Sequence, residues 1–530
     1  MNSLYPEISS IVHNKTLRER LLWVFLVVLP MLVLVWIFIK AAWLSDDAYI
    51  TFRTIDNFLN GYGLRWNVAE RVQSFTHPLW MGLVMIAVFF TREFYLTVTF
   101  LSLACSIMAI ILVIWKISPG IWVSFLAIAI LISSQAFVDY STSGLENPLS
   151  FLLIAFFAIL FFKREESLQS FGWLCFVAGL AVLNRMDMIL LYLPALAWTA
   201  FSLHRKSKST LRELAGMFIL AFTPFILWEI FSLIYYGFPF PNTAYAKLST
   251  EIPAEILRHK GRYYFSDSIT HDYVTLPIIG LAIILSIYFR GSRSLTLAGG
   301  ICLYLLYIIH IGGDFMSGRF FSVPFFVAVL IISQLPVRQW FAALLAIGAI
   351  GAGLLMPKPV LLYDMDDHAL IWLKSGIMDE RRFYYQCAGF LPVLNKSLEP
   401  DCKWVKEGKD MREENLVITQ VIGFHGFYAG PSVHIVDTFG LTDPFLGRLP
   451  SDPRSRIGHF SRGMPAGYEA TLRQKENLLE YPKHRKLFTV ISTITRDPIF
   501  SVKRFKEIVK INVGMYDHLA VNPAVRPDIE

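Results

Sequence analysis

Ser45-Asp46-Asp47-Ala48-Tyr49-Ile50 sets two neighbouring carboxylates directly after the first long apolar run. A carboxylate fixed at a membrane surface can take a proton from a hydroxyl while its neighbour orients it or binds a cation. The same pair can simply complement the N-terminus of a helix. In the stretch that follows, Phe52, Ile55, Phe58 and Leu59 recur at helical spacing, with Arg53, Asp56 and Asn57 on other faces. Ser45 can cap that helix and Gly61 can end it. The pattern predicts an amphipathic helix lying in the interface. Both roles are compatible, because a catalytic carboxylate also needs a rigid mount.

Further candidates lie in short polar breaks between apolar runs. Glu146 sits in Ser143-Gly144-Leu145-Glu146-Asn147. It is functional if buried beside a membrane helix and ordinary loop polarity if it faces water. Arg185 and Asp187 interrupt a long apolar stretch. They make either a turn with a local ion pair or a forked cation for a phosphate. The segment Tyr235 to Lys247 is rich in aromatics and proline, and holds Asn242 and Tyr245. Such a segment is an interfacial belt, or a groove for an isoprenoid chain with Lys247 near its phosphate. His310, Asp314 and Arg319 flank a glycine-rich loop. The glycines there make a tight turn, or let backbone N–H groups approach an anion. His425, His434, Asp437 and Asp443 show no zinc-ligand spacing, and no phosphate-binding P-loop or Gly-x-Ser-x-Gly elbow occurs.

These residues need a membrane scaffold. The chain has 530 residues, 55% of them hydrophobic and only 17% charged, against roughly 25% charged in a soluble domain. Mean hydropathy is +0.50. The fold class expected is a polytopic α-helical membrane protein of about 11 spans. They fall near 21–44, 95–116, 119–138, 148–162, 170–184, 188–203, 213–236, 274–290, 295–312, 319–335 and 339–356. His77 to Phe90 is apolar but short, and is expected to lie in one leaflet. The first apolar run follows Lys15, Arg18 and Arg20 and is too long for a cleavable signal core of about 7–15 residues. With the N-terminus inside, every inner loop is basic: Lys116, Lys163-Arg164, His204 to Lys208, Arg290 with Arg293, and Arg338. The net charge of +7 is therefore expected on inner loops, and nucleic-acid binding is not expected. The outer loops carry the acids, glycines and single arginines named above, so they are expected to form one composite site.

Residues 1–356 read as the membrane domain, with a first outer loop at 45–94, and residues 357–530 as a polar α/β domain on the outer face. Strand-like runs occur at Leu416–Gln420 and Val433–Thr438. Cys387 and Cys402 lie in this tail and can pair if it is outside the cytoplasm, while Cys105, Cys175 and Cys302 read as small core residues.

Asp46-Asp47-Ala48-Tyr49-Ile50, Asn60 to Asn67 and Glu70 to Trp80 together resemble the first outer loop of GT-C glycosyltransferases. Within that class the chain looks like the mycobacterial terminal arabinofuranosyltransferases and the related proteins described as flagellar motor control proteins. The resemblance continues at Ser143–Glu146, Pro241–Lys247, Gly312–Met316, Gly426–Gly430, Val436–Pro444 and Arg456–Phe460. It implies GT-C architecture at a bacterial inner membrane, with the site and tail in the periplasm. It implies inverting transfer of a sugar, arabinofuranose, from a polyprenyl-phosphate donor to a periplasmic glycan or protein hydroxyl. It implies no certain cofactor, with a divalent cation optional. The acidic pair would then be catalytic, Asp46 as base and Asp47 as partner. The class often has Asp-Glu here, which leaves the order of the two open. Arg185, Lys247, Tyr245, Asn242, His310 and Arg319 would bind the donor, and Glu146 and Asp314 would serve the acceptor side. A secondary transporter would instead show repeats or charges at the bilayer midplane, and a non-enzymatic assembly factor would not need the acidic pair.

Overall fold

A computed structural model describes residues 16–248, 250–362, 376–396 and 398–521; Lys15 lies outside them. Helices dominate, and every apolar run predicted from the sequence falls on a helix or a bent pair of helices. Leu17–Ala41, Tyr95–Ile117, Met186–Arg205 and Ser292–Ile311 are each long and apolar enough to cross a membrane. Two bent pairs raise these four to six if each pair is one span: Leu211–Ala221 with Thr223–Tyr235, bent by 58°, and Ala254–His271 with Thr275–Phe289, bent by 102°. The first break falls at Pro224, in the opening turn of the second helix, where a missing N–H and a bulky ring interrupt the ladder. Pro78–Thr91, Ile121–Ser133, Asn147–Lys163, Leu168–Asn184, Arg319–Ile332 and Gln339–Leu354 are apolar but shorter. A hydrocarbon core of ~30 Å asks for about 20 residues. Length alone therefore does not give the 11 spans expected from the sequence.

The basic sites lie at one end of the helical part. Glu166 pairs with Lys206 at 2.7 Å and with Arg293 at 3.8 Å, and the Arg293 guanidinium donates to the Phe162 carbonyl. The helices Asn147–Lys163 and Leu168–Asn184 start or finish at this cluster and have their other ends beside Glu146 and Arg185. At 1.5 Å per residue that is a separation of about 25 Å.

Two sequence readings are corrected. Cys302 is exposed on the outer wall of its helix, unlike buried Cys105 and Cys175, because its face of the Ser292–Ile311 helix is turned away from the helical core. The Asp46–Leu59 helix is not an interfacial amphipath. Ser45 caps it as expected, accepting from the Ala48 N–H, and the chain turns left-handed at Gly61. Its polar positions Arg53 and Asn57 are buried along with Phe52 and Ile55. The tail folds over it and supplies partners: Arg53 donates to the tail carbonyls of Gly426 and Val433, as well as to the nearby Trp66 carbonyl, and its guanidinium lies 4.5 Å from the Trp66 ring centre.

The tail holds the two strands read from the sequence. Leu416–Thr419 (β1) and His434–Asp437 (β2) pair in parallel, with Leu416 opposite His434. The crossover between them contains the short helix Phe424–Ala429, which packs on the Asp46–Leu59 helix through Tyr49, Phe424 and Phe427. Leu416, Val436, Phe445, Tyr468, Leu487 and Ile491 form a separate tail core. Ile377, Tyr384, Phe424, Ile457 and Phe460 instead join the main core of the helical part. Cys387 and Cys402 are disulfide-bonded.

Candidate active site

The loops expected on the outer face converge on one cavity of about 550 Å³. Its polar wall is made by Asp47, His77, Arg185, Asp187, Lys247, Asp314 and Arg319. Its apolar wall is made by Phe75, Phe240, Tyr245, Tyr307, Phe320 and, from the tail, Leu441, Ile457 and Phe460. Segments scattered between residues 47 and 460 thus meet in one chamber.

The two acids at the head of the Asp46–Leu59 helix have different surroundings. The Asp46 carboxylate accepts from the Gly423 N–H at 3.2 Å and the Phe424 N–H at 2.7 Å, and it is absent from the cavity wall. Burial pushes its pKa up to about 7, against those two hydrogen bonds and with help from Asp47. Asp47 lines the cavity. Burial raises its pKa too, while Lys247 and Arg319 pull it down and Asp314 and Glu146 push it up.

Behind the cavity lies a buried ion network. Glu146 is 1% exposed and pairs with Arg185 at 3.2 Å and Arg319 at 3.1 Å. Burial alone would raise its pKa, but Arg319 first and also Arg185, joined by His77 when that ring is protonated at low pH, hold it down at about 2, so it is ionised. Arg185 also forms a fork with Asp187, through Nε at 2.8 Å and Nη2 at 2.9 Å, and stacks over Phe320. Burial pushes the His77 pKa down to about 4, so the ring is neutral at neutral pH. A neutral ring with its proton on Nδ1 faces Glu146 at 3.4 Å and accepts from the Thr51 hydroxyl at 2.9 Å. Lys247 has no ion pair among the described residues and lies 5.7 Å from the Phe315 ring centre. Both cavity arginines are in direct contact with carboxylates, whereas Lys247 acts on Asp47 only through its field and keeps its ammonium free for a ligand.

Local backbone explains these placements. Gly144 has φ +79°, and a Cβ there would meet the Ala48 Cβ at 2.9 Å, so only glycine lets the second outer loop press on the acidic helix. The Ser45 N–H donates to the Ser143 carbonyl, and Trp80 Nε1 donates to the Gly144 carbonyl. Gly313 also has positive φ and packs on Tyr264, which makes the glycine-rich loop a tight turn at the cavity edge.

Of the residues singled out in the sequence, the cavity wall holds Asp47, Arg185, Lys247, Tyr245, Asp314 and Arg319. Asp46 and Glu146 lie directly behind it. Asn242 and His310 lie apart from it. The Asn242 side chain donates to the carbonyls of Gly440, Leu441 and Asp443 and accepts from Arg448, so it ties the 241–247 segment to the tail. His310 is exposed near the end of its helix. Among the described residues no group of three or more His, Cys, Asp or Glu side chains is placed to hold a metal ion.

Residues 76–228, which contain His77, Glu146 and Arg185, match the family model of dolichyl-phosphate-mannose-protein mannosyltransferase. The terminal β-(1→2)-arabinofuranosyltransferase of Mycobacterium tuberculosis is 25% identical, over 80% of this chain and 81% of its own. That of Corynebacterium glutamicum is 27% identical over 56% of this chain, which spans about half (48%) of its length. Among solved structures, the archaeal oligosaccharyltransferase AglB of Archaeoglobus fulgidus, in complex with an inhibitory peptide and a dolichol-phosphate, has a TM-score of 0.47 and 13% identity. That match covers 80% of this chain and 65% of AglB. ArnT of Cupriavidus metallidurans, bound to undecaprenyl phosphate, has a TM-score of 0.45 and 14% identity, over 80% of this chain and 77% of ArnT.

The similarities support a glycosyltransferase.

The enzyme's cavity also uses residues that sequence reasoning left without a role. His77, Ile457 and Phe460 line it, and Phe315 carries Lys247. Each lies inside a block that bears the resemblance: Glu70–Trp80, Gly312–Met316 or Arg456–Phe460. That membership was the available signal. Glu380 does not line the cavity; it is buried, its pKa is raised well above the usual carboxylate value by burial and then by Asp47, and Arg456 lies 3.9 Å away.

Proposed function

We propose that this enzyme transfers a sugar, arabinofuranose, from a polyprenyl phosphate to a hydroxyl of a glycan or protein, on the outer face of a bacterial inner membrane, with inversion at the anomeric carbon. The observation that carries this reading is the joint placement of Asp47, Lys247 and Arg319 in one chamber with an aromatic wall. The sugars and lipid carriers named for the relatives agree with it.

In this reading Asp47 is the base. Its carboxylate takes the proton of the acceptor hydroxyl as that oxygen attacks the anomeric carbon. The bond from that carbon to the phosphate oxygen breaks, and the phosphate leaves with the electron pair. A phosphate is a good leaving group and needs a cation more than an acid. Lys247, in no direct ion pair among the described residues, supplies that cation, and Arg319 and Arg185 add field from fixed positions. The isoprenoid chain lies along Phe240 and Tyr245. Asp46 holds the Gly423–Phe424 turn and so fixes the tail against the base. Residues 1–356 and 357–530 then act as one unit, because Leu441, Ile457 and Phe460 of the tail close the chamber.

The test is transfer from synthetic prenyl-phosphoryl arabinofuranose by purified enzyme in nanodiscs. Lys247→Ala is expected to raise the KM for this donor about tenfold or more, the factor for losing one charge-assisted contact of about 1.5 kcal/mol or more. An unchanged KM would remove Lys247 from the phosphate site. No transfer by the unaltered enzyme from any prenyl-phosphate sugar would overturn the assignment itself.

A further inference from the structure

The helix Val502–Asn512 near the end of the chain has an apolar stripe that the protein does not cover. Phe500, Val502, Val509, Val513 and Met515 are exposed, Phe500 by 83% and Val509 by 63%. Val502, Phe505, Val509 and Val513 recur at helical spacing on one face. The opposite face is buried through Arg504 and Ile508. Lys503, Lys506 and Lys510 lie along one flank of the stripe. A solvated helix of a soluble domain would carry polar side chains on that exposed face.

The position of this helix says what covers the stripe. The Arg504 guanidinium donates to the carbonyls of Ile234 at 2.7 Å and Tyr235 at 2.9 Å. The Asn512 amide donates to the Gly237 carbonyl. These carbonyls end the helix Thr223–Tyr235, whose Leu227, Ile230, Leu233 and Ile234 are themselves exposed on its outer wall. The apolar stripe therefore continues the exposed apolar wall of the helical part at the end that carries the cavity. An apolar stripe with a lysine flank, held at the mouth of a bent spanning pair, matches a helix seated among headgroups and upper acyl chains.

We propose that Val502–Asn512, with Phe500 and Met515 at its ends, is an interfacial helix that docks into the leaflet on the cavity side and uses Lys503, Lys506 and Lys510 to favour anionic headgroups. Its buried face packs with Phe238 and Ile494, and Tyr245 of the cavity wall joins that cluster. The docked helix thus braces the aromatic edge of the chamber at headgroup depth. The proposal rests on the chain spanning a membrane and not on the sugar it transfers.

The test uses the full-length protein with Cys302→Ser, reconstituted in vesicles of phosphatidylcholine with 30% phosphatidylglycerol, the proportion being a choice of roughly physiological anionic content. A nitrobenzoxadiazole fluorophore is placed at Val509→Cys, and in a second preparation at Glu476→Cys, an exposed site elsewhere in the tail. The Val509 probe is expected to emit to the blue of the Glu476 probe. It should be quenched severalfold more strongly by a nitroxide carried on shallow acyl-chain positions. Substituting Lys503, Lys506 and Lys510 by Gln should reduce that quenching in anionic vesicles and leave it unchanged in neutral ones. A Val509 probe as water-exposed as the Glu476 probe would overturn the proposal. So would a blue-shifted probe that lipid nitroxide cannot quench, which would mean a protein partner or second copy covers the stripe.

Discussion

Asp46 and Asp47 are one helical step apart, and a rotation of about 100° separates what they can do. Asp46 turns to the tail and spends both oxygens on backbone N–H groups. Asp47 turns to the chamber that holds Lys247 and Arg319. Asp47→Asn keeps the shape and removes basicity, so transfer is expected to fall by roughly 10²–10⁴, the range for losing a general base. Asp46→Asn keeps one accepting oxygen and brings an N–H₂ against the Gly423 and Phe424 donors. It is expected to lower thermal stability more than Asp47→Asn does, with residual transfer above that of Asp47→Asn. Equal loss of transfer in both variants without loss of stability would return the base role to the pair. Acidity gives a second handle. A base works deprotonated, and burial raises the Asp47 pKa, so kcat/KM should fall as pH drops through a value above the ordinary ~4 for a carboxylate. Stability runs the other way. A carboxyl that holds its proton more tightly folded than unfolded stabilises the fold below its unfolded pKa and loses that contribution as pH rises through its folded one. Asp46, pushed up to about 7 mainly by burial, places that loss between about pH 4 and 7. A pH–rate profile and melting temperatures over the same range check both signs.

Elements that approach each other here are joined by arginines that end on carbonyl oxygens. Arg53 ties the acidic helix to the crossover of the tail sheet. Arg462 reaches the carbonyls of Phe439, Leu449, Phe460 and Ala246, the residue before Lys247. Arg53→Met leaves the carbonyls of Gly426 and Val433 without their side-chain donor, while the Trp66 carbonyl keeps the Asn57 amide. Each stranded group costs ~1–3 kcal/mol, so the total expected is about 2 kcal/mol or more. Melting of the detergent-solubilised protein measures it, and Arg53→Lys, with one ammonium for the same oxygens, should recover only part. These ties mark where the sequence stopped being legible. The helices, the two strand runs and the polar loops that meet in the cavity were readable, because apolar runs, turn residues and charge asymmetry are local signals. Arg53 was not readable as a core residue, because its partners Gly426 and Val433 lie more than 370 positions away. A charged side chain among helical apolar positions looks like a solvated face until the chain that covers it is in place. The division of labour between Asp46 and Asp47 was hidden for the same reason: Gly423 decides it.

At the scale of the molecule, one end carries the basic cluster around Glu166 and the other carries the chamber, the tail and the Cys387–Cys402 bond. Positive charge on short loops is retained on the cytoplasmic side during insertion. Disulfides persist outside the reducing cytoplasm. The two arguments are independent, one resting on Lys206 and Arg293 and the other on Cys387 and Cys402, and both support the proposal that the chamber faces outside. That orientation also fits the proposed chemistry, since a lipid-linked donor is needed where soluble nucleotide sugars are absent. In intact spheroplasts, with Cys302→Ser to remove the exposed native thiol, Glu476→Cys is expected to react with an impermeant maleimide. Lys206→Cys is expected to react only after lysis. Both positions are exposed, so a lack of labelling in intact cells reports sidedness and not burial. The reverse pattern would put Asp47 in the cytoplasm, on the wrong side of the membrane from an extracytoplasmic acceptor, and would end the assignment of a periplasmic hydroxyl as the group that Asp47 deprotonates.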